Sequence, residues 1–205
     1  MPSLLNLSPV IPVVVVDDVA EAVPVATALR DGGIPIIELT LRTPVALEAM
    51  RAIAAEVPGI TLGAGTVTTP ELAKKAAEAG ATFLVSPGCT PTLLAAMADT
   101  GLPFLPGTAT VSEALAVLEA GYTEMKFFPA EPSGGVAYLG SLPTVIPDAH
   151  FCPTGGIKLS TAPSYLELPN VGCVGGSWLT PKDALATGDW ARIETLASEA
   201  AALRS

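Results

Sequence analysis

Positive charge is the scarcest chemistry in this chain. Ten lysines and arginines stand against twenty aspartates and glutamates, a formal net charge of −10. The basic residues form no stripe, so binding to a nucleic-acid phosphate backbone is not expected. The three cysteines, Cys89, Cys152 and Cys173, are odd in number, far apart and without a C-x-x-C spacing. That pattern argues against a disulfide framework or a zinc site and predicts buried thiols. The single histidine, His150, begins an apolar run instead of ending one, which suits a structural or surface role. No cluster of Asp, His and Cys suggests a metal. Long hydrophobic runs are also missing: VIPVVVV at 10–16 is cut off by charge well short of the ~18 to 20 residues of a membrane span. The start, MPSLLNLSPV, has no basic segment followed by a long apolar core, so a cytoplasmic location without an export signal is the expectation.

What remains is half hydrophobic, at 50%, and only 15% charged. Its 205 residues suffice for one well-buried domain spanning 1–205, and no compositional break divides it. Short branched apolar runs recur about every 20 to 25 residues, each followed by an alanine-rich segment with helical spacing. The runs are VIPVVVV (10–16), PIIELT (35–40), ITLGAG (60–65), TFLVSP (82–87), PFLPG (103–107), EMKFF (124–128), HFCPTG (150–155) and VGCVGG (171–176). Gly33, Gly59, Gly80, Gly101 and Gly121 stand just after helical patterns, where a left-handed cap favours glycine. Eight strand-helix units of this kind predict an α/β protein, a single (β/α)8 TIM barrel behind a short N-terminal segment. An open doubly wound sheet is the alternative, although no G-x-G-x-x-G follows the first run.

In such barrels the chemistry gathers at the C-terminal ends of the strands. The second run ends in Glu38-Leu39-Thr40-Leu41-Arg42, and alternation puts Glu38 and Thr40 on one face with Arg42 beyond the rim. A carboxylate facing a barrel interior needs a partner or a task, and a structural Glu38–Arg42 ion pair is one reading. The third run ends in GAGT, where small residues leave room for a ligand and Thr66 offers a hydroxyl. The sixth carries Lys126 among Met125, Phe127 and Phe128 in a protein with five lysines. Apolar surroundings disfavour an ammonium, and a neutral amine there can attack a ketone to form a Schiff base. A lysine whose head snorkels to the rim is the bland alternative. The last two runs end in Gly155-Gly156 and Gly175-Gly176-Ser177, at the positions where barrels commonly cradle phosphate.

Taken together, ELTLRT (38–43), GAGTV (63–67), SPG (86–88), PGTATVSE (106–113), KFFPAE (126–131), CPTGGI (152–157) and VGGSWL (174–179) resemble the bacterial class I 2-keto-3-deoxy-6-phosphogluconate aldolases of the Entner–Doudoroff pathway. These enzymes are often bifunctional, with 4-hydroxy-2-oxoglutarate aldolase activity as well. The resemblance runs from about residue 9 to about residue 200. It implies Lys126 as the Schiff-base lysine and Glu38 as the general acid/base, acting through a bound water. It implies Arg42 and Thr66 on the carboxylate of the pyruvyl portion, Pro87 as a pocket wall, and Thr154 near the hydroxylated carbons. Gly155, Gly156, Gly175, Gly176 and Ser177 match the phosphate loops. The substrate would be a phosphorylated 2-keto acid, with no cofactor required, and the assembly a homotrimer. A non-catalytic scaffold on the same fold is the rival from another class.

Overall fold

The branched runs become strands because their side chains pack well on a pleated, buried surface. In the computed structural model, which describes residues 3–204, these strands are β1 (Val10–Val14), β2 (Ile36–Thr40), β3 (Thr61–Gly65), β4 (Phe83–Val85), β5 (Phe104–Leu105), β6 (Gly107–Thr108), β7 (Glu124–Phe127), β8 (His150–Pro153) and β9 (Val174–Gly176). The helices are α1 (Ala22–Asp31), α2 (Ala46–Glu56), α3 (Pro70–Glu78), α4 (Pro91–Asp99), α5 (Val111–Glu119), α6 (Gly135–Ser141), α7 (Ala162–Leu166), α8 (Lys182–Thr187) and α9 (Trp190–Ala201). Local chemistry starts and stops them. Thr69, Thr90 and Thr110 cap α3, α4 and α5 by accepting from the amides of Leu72, Leu93 and Glu113, and Pro70 and Pro91 open the first two of these helices. The five glycines foreseen as stops all take positive φ, between +71° and +98°.

Every strand pairing is parallel. The ladders form two arcs, β5-β4-β3-β2-β1-β9 and β6-β7-β8, so the architecture is an α/β fold with a curled parallel sheet. The expected ring of eight continuously paired strands is therefore met only in this coarser form. The physical reason lies in the fifth run. Pro106 has no N–H to give a ladder, and the chain there splits into β5, paired with β4, and β6, paired with β7. At that break the buried Ser86 accepts from the Gly107 amide at 3.1 Å, replacing a main-chain bond with a side-chain one. At the other edge, isolated bridges Phe151↔Val171 and Thr154↔Gly175 bring β8 to the β9 segment.

Register decides which side chains share the concave face. Val13 pairs with Glu38, Glu38 with Gly63, and Gly107 with Lys126, which in turn pairs with Cys152. Alternate residues face the helices: Phe127 stacks on Tyr138 of α6 with centroids 5.5 Å apart and meets Phe151 edge-on at 6.2 Å. Truncating either buried phenylalanine to alanine would cost about 3–5 kcal/mol. Cys152 and Cys173 are buried as expected, but Cys89 is only half-buried, because it sits in the β4–α4 connection and not in a strand. Burial still pushes its thiol up to about 11, so it is not a thiolate at neutral pH. His150 is exposed at the start of β8. Among the described residues no helix is long and apolar enough to cross a membrane.

Candidate active site

Lys126 is set in place by its main chain before its side chain does anything. Its amide donates to Pro106 O at 3.0 Å, and its carbonyl accepts from Thr108 Oγ1 at 3.2 Å. From that anchored position Nζ reaches across the concave face to Glu38 on β2, 3.0 Å from Oε1 and 3.4 Å from Oε2. The two side chains are 3% and 2% exposed. Gly65 makes the geometry possible: a Cβ there would run into the Glu38 carboxylate. The ring of Phe128 lies 5.5 Å from Nζ. A charge removed from water this completely costs several kcal/mol unless paired, and here each group supplies the other's partner.

This placement decides two questions the sequence left open. The Lys126 amine is not a snorkelling head at the rim, since it is buried against Glu38. Nor does Glu38 pair with Arg42, whose Nε instead donates to Thr66 Oγ1 at 2.9 Å. Arg42 sits exposed at the end of β2, and among the described residues it forms no ion pair with a carboxylate. Its remaining N–H groups are a free fork for an anion. Thr66 holds its hydroxyl at Arg42 from φ +60°, a left-handed conformation that a β-branched residue adopts at a cost on the order of 1–3 kcal/mol. Pro87 follows β4, and its carbonyl carbon occupies the space beside Gly107 where a Cβ would stand, next to the Lys126 strand.

The glycines foreseen as a phosphate cradle fall into two groups. Gly155 and Gly156 do form a loop after β8, with φ of +107° and +85°. The carbonyls of Thr154 and Gly155 accept from the Ala130 and Glu131 amides at 2.8 and 3.1 Å. The Gly155 amide faces the Gly175 carbonyl across the Thr154↔Gly175 bridge, whereas the Gly156 amide finds no protein acceptor among the described residues and is open to an external anion. Gly175 and Gly176 instead lie within β9, paired with Ile11 and Pro12. Their lack of side chains clears space, at Gly175 for the Thr154 hydroxyl and at Gly176 for the Trp178 ring. Ser177, exposed, is the first residue beyond the strand. It lines a cavity of about 600 Å³ with Val13, Asp17, Trp178 and Lys182, and Val13 is the register partner of Glu38.

Sequence reasoning passed over Ser86, Glu131 and Tyr165. Ser86 and Glu131 stood inside quoted motifs, SPG and KFFPAE, and so carried a signal of position but none of role. A buried amine 3 Å from a buried carboxylate, with a cationic fork just past the end of the Glu38 strand, has a definite chemical range. The carboxylate can take the ammonium proton, the freed amine can attack a carbonyl, and the fork can orient an anionic substrate.

Comparison with known proteins agrees with that range. The family model "Aldolase: KDPG and KHG aldolase" matches residues 1–196. A 2-dehydro-3-deoxy-phosphogluconate aldolase from Pseudoalteromonas atlantica is 50% identical over 199 residues, covering 97% of this chain and 93% of that protein. A KDPG aldolase structure from Legionella pneumophila, with pyruvate captured at low pH as a covalent carbinolamine intermediate, matches with a TM-score of 0.94 and 44% identity over 96% of both chains. The 2-keto-3-deoxy-6-phosphogluconate aldolase of Zymomonas mobilis with 3-phosphoglycerate matches with a TM-score of 0.92 and 45% identity, over 98% of this chain and 94% of that one.

Proposed function

The chain belongs to the KDPG and KHG aldolase family, and from that premise we propose how its own residues carry the reaction. It is a Schiff-base aldolase that cleaves 2-keto-3-deoxy-6-phosphogluconate to pyruvate and glyceraldehyde 3-phosphate. The observation that carries the assignment of roles is the buried Lys126–Glu38 contact at 3.0 Å.

Glu38 takes a proton from the Lys126 ammonium, and the neutral amine attacks the C2 ketone to give a carbinolamine. Glu38 gives that proton to the carbinolamine hydroxyl, which leaves as water, so that the carboxylate is restored and an iminium remains whose positive charge draws electrons from the neighbouring bond. Glu38, through a water, removes the C4 hydroxyl proton. The C3–C4 bond breaks, its electron pair moves towards the iminium as an enamine, and the aldehyde departs. The same carboxyl returns a proton to C3, and water hydrolyses the resulting iminium to release pyruvate and free Lys126. One carboxylate thus serves these proton transfers, which its position against Nζ supports.

Arg42 and Thr66 hold the substrate carboxylate and so fix the ketone against the amine. Replacing Arg42 by lysine keeps the charge but loses the fork, and kcat/KM is expected to fall about 10- to 100-fold, mostly through KM. Steady-state kinetics on the phosphorylated substrate check this. Thr154 faces the hydroxylated carbons, and Gly155, Gly156 and Ser177 take the phosphate, with the open amide of Gly156 as a donor. Gly175 and Gly176 contribute by leaving room, not by donating. The same amine and base serve 4-hydroxy-2-oxoglutarate, yielding pyruvate and glyoxylate.

We read the two arcs as one (β/α)8 barrel, supported by the Ser86–Gly107 bond at one junction and the Thr154↔Gly175 bridge at the other. A cytoplasmic homotrimer is the assembly this reading carries, and sedimentation would give its mass. The direct test of function incubates the protein with pyruvate and borohydride, and separately follows pyruvate release from 2-keto-3-deoxy-6-phosphogluconate. A reduced adduct on the peptide bearing Lys126 together with release is expected, and absence of both defeats the reading.

A further inference from the structure

KFFPAE ends in Glu131, a residue the reaction above leaves unused. Its carboxylate accepts a hydrogen bond from the phenol of Tyr165, a residue of α7 with 0% of its surface exposed. Burial, the Glu131 hydrogen bond and its negative charge all hold that phenol well above the ordinary tyrosine range, so the O–H donor persists across working pH.

What the pair touches is the tail loop. The Cβ and Cγ of Glu131 fill the place where a side chain on Gly156 would go. The Glu131 amide donates to Gly155 O and the Ala130 amide to Thr154 O, at 3.1 and 2.8 Å. On the far side Gly135 has no side chain because the Tyr165 hydroxyl stands there. The loop carbonyls are therefore turned towards residues 130 and 131, and among the described residues the Gly156 amide is left without a protein acceptor. Glu131 is exposed and would otherwise be mobile; the buried phenol is what fixes it.

We propose that Tyr165 and Glu131 are a positioning pair that sets the Thr154–Gly156 loop for a phosphorylated tail, and so sets the preference for phosphorylated over unphosphorylated 2-keto acids. Neither side chain touches the reacting carbons. The proposal rests on the aldolase reading of Lys126 and Glu38, and its test separates the two.

The variants are Tyr165→Phe, which keeps the packed ring and removes the hydroxyl, and Glu131→Ala at an exposed position that does not endanger the fold. Each is assayed with 2-keto-3-deoxy-6-phosphogluconate, with its unphosphorylated counterpart 2-keto-3-deoxygluconate, and by borohydride trapping of pyruvate. For both variants kcat/KM on the phosphorylated substrate should fall about tenfold, chiefly through KM, as loss of one hydrogen bond to a charged group implies. Trapping and cleavage of the unphosphorylated substrate should stay within about twofold of wild type, and Glu131→Gln, which keeps an acceptor, should recover most of the loss. Unchanged discrimination between the two substrates overturns the proposal, as does an equal fall in all three measurements. Failure of the wild-type protein to trap pyruvate would instead overturn the aldolase reading itself.

Discussion

Lys126→Arg is expected to leave a folded protein with no aldolase activity, a loss in kcat of about 10⁴-fold or more, comparable to deleting a covalent nucleophile elsewhere. Arginine keeps a positive charge beside Glu38, but its guanidinium does not give up a proton in a protein and cannot form the iminium. Lys126→Ala should be equally inactive for a second reason. It strands Glu38, 2% exposed, without its partner, and breaking one side of a buried pair typically destabilises by about 3–5 kcal/mol. The two variants therefore separate chemistry from folding: both lose pyruvate release and the borohydride adduct, while only the alanine variant should show a large drop in Tm. Arginine activity above about 1% of wild type would remove Lys126 from the covalent step. Equal melting temperatures would mean that Glu38 finds another partner or protonates.

Why Lys126 and Glu38 could be seen in advance is a matter of period. A strand alternates strictly, so Glu38 and Thr40 had to share a face, and a lysine in an apolar strand needed a reason to be there. What the sequence could not tell was which carboxylate met which cation, because Glu38 and Arg42 are four residues apart while Glu38 and Lys126 meet only through the closure of the sheet. Fold-level legibility had the same limit. The eight runs all became strands, but Pro106 divided the fifth, a consequence of the missing amide that the letters PFLPG already contained. The glycine pairs looked alike as sequence and proved different in place: Gly155-Gly156 needs positive φ in a loop, whereas Gly175-Gly176 sits inside a strand and clears room for neighbours. Thr66 at φ +60° and the Tyr165–Glu131 bond left no trace in local pattern. The first runs against propensity, and the second joins residues 34 apart.

Glu38→Gln separates the base from the nucleophile and is expected to lower kcat by about 10²- to 10⁴-fold, the usual contribution of a positioned general base. The amide keeps the shape of the carboxylate and an oxygen that can accept from Lys126 Nζ, so the fold and the site geometry should hold. Arg42 and Thr66 are untouched and still hold the pyruvate carboxylate, so borohydride should continue to trap an adduct on Lys126, more slowly because solvent must then take the ammonium proton that Glu38 takes in the wild type. Exchange of the pyruvate methyl protons in heavy water should instead nearly stop. That exchange interconverts iminium and enamine at C3 and asks for nothing but a base that can take and return a proton there. Exchange at the wild-type rate in the variant would move the proton transfer to another group. Loss of trapping along with exchange would mean that solvent cannot replace Glu38 in freeing the amine, which follows if the proton on Lys126 has no other acceptor within reach. Trapping with no exchange is the result that one carboxylate shared between both halves of the reaction requires, and it is the one the 3.0 Å contact favours.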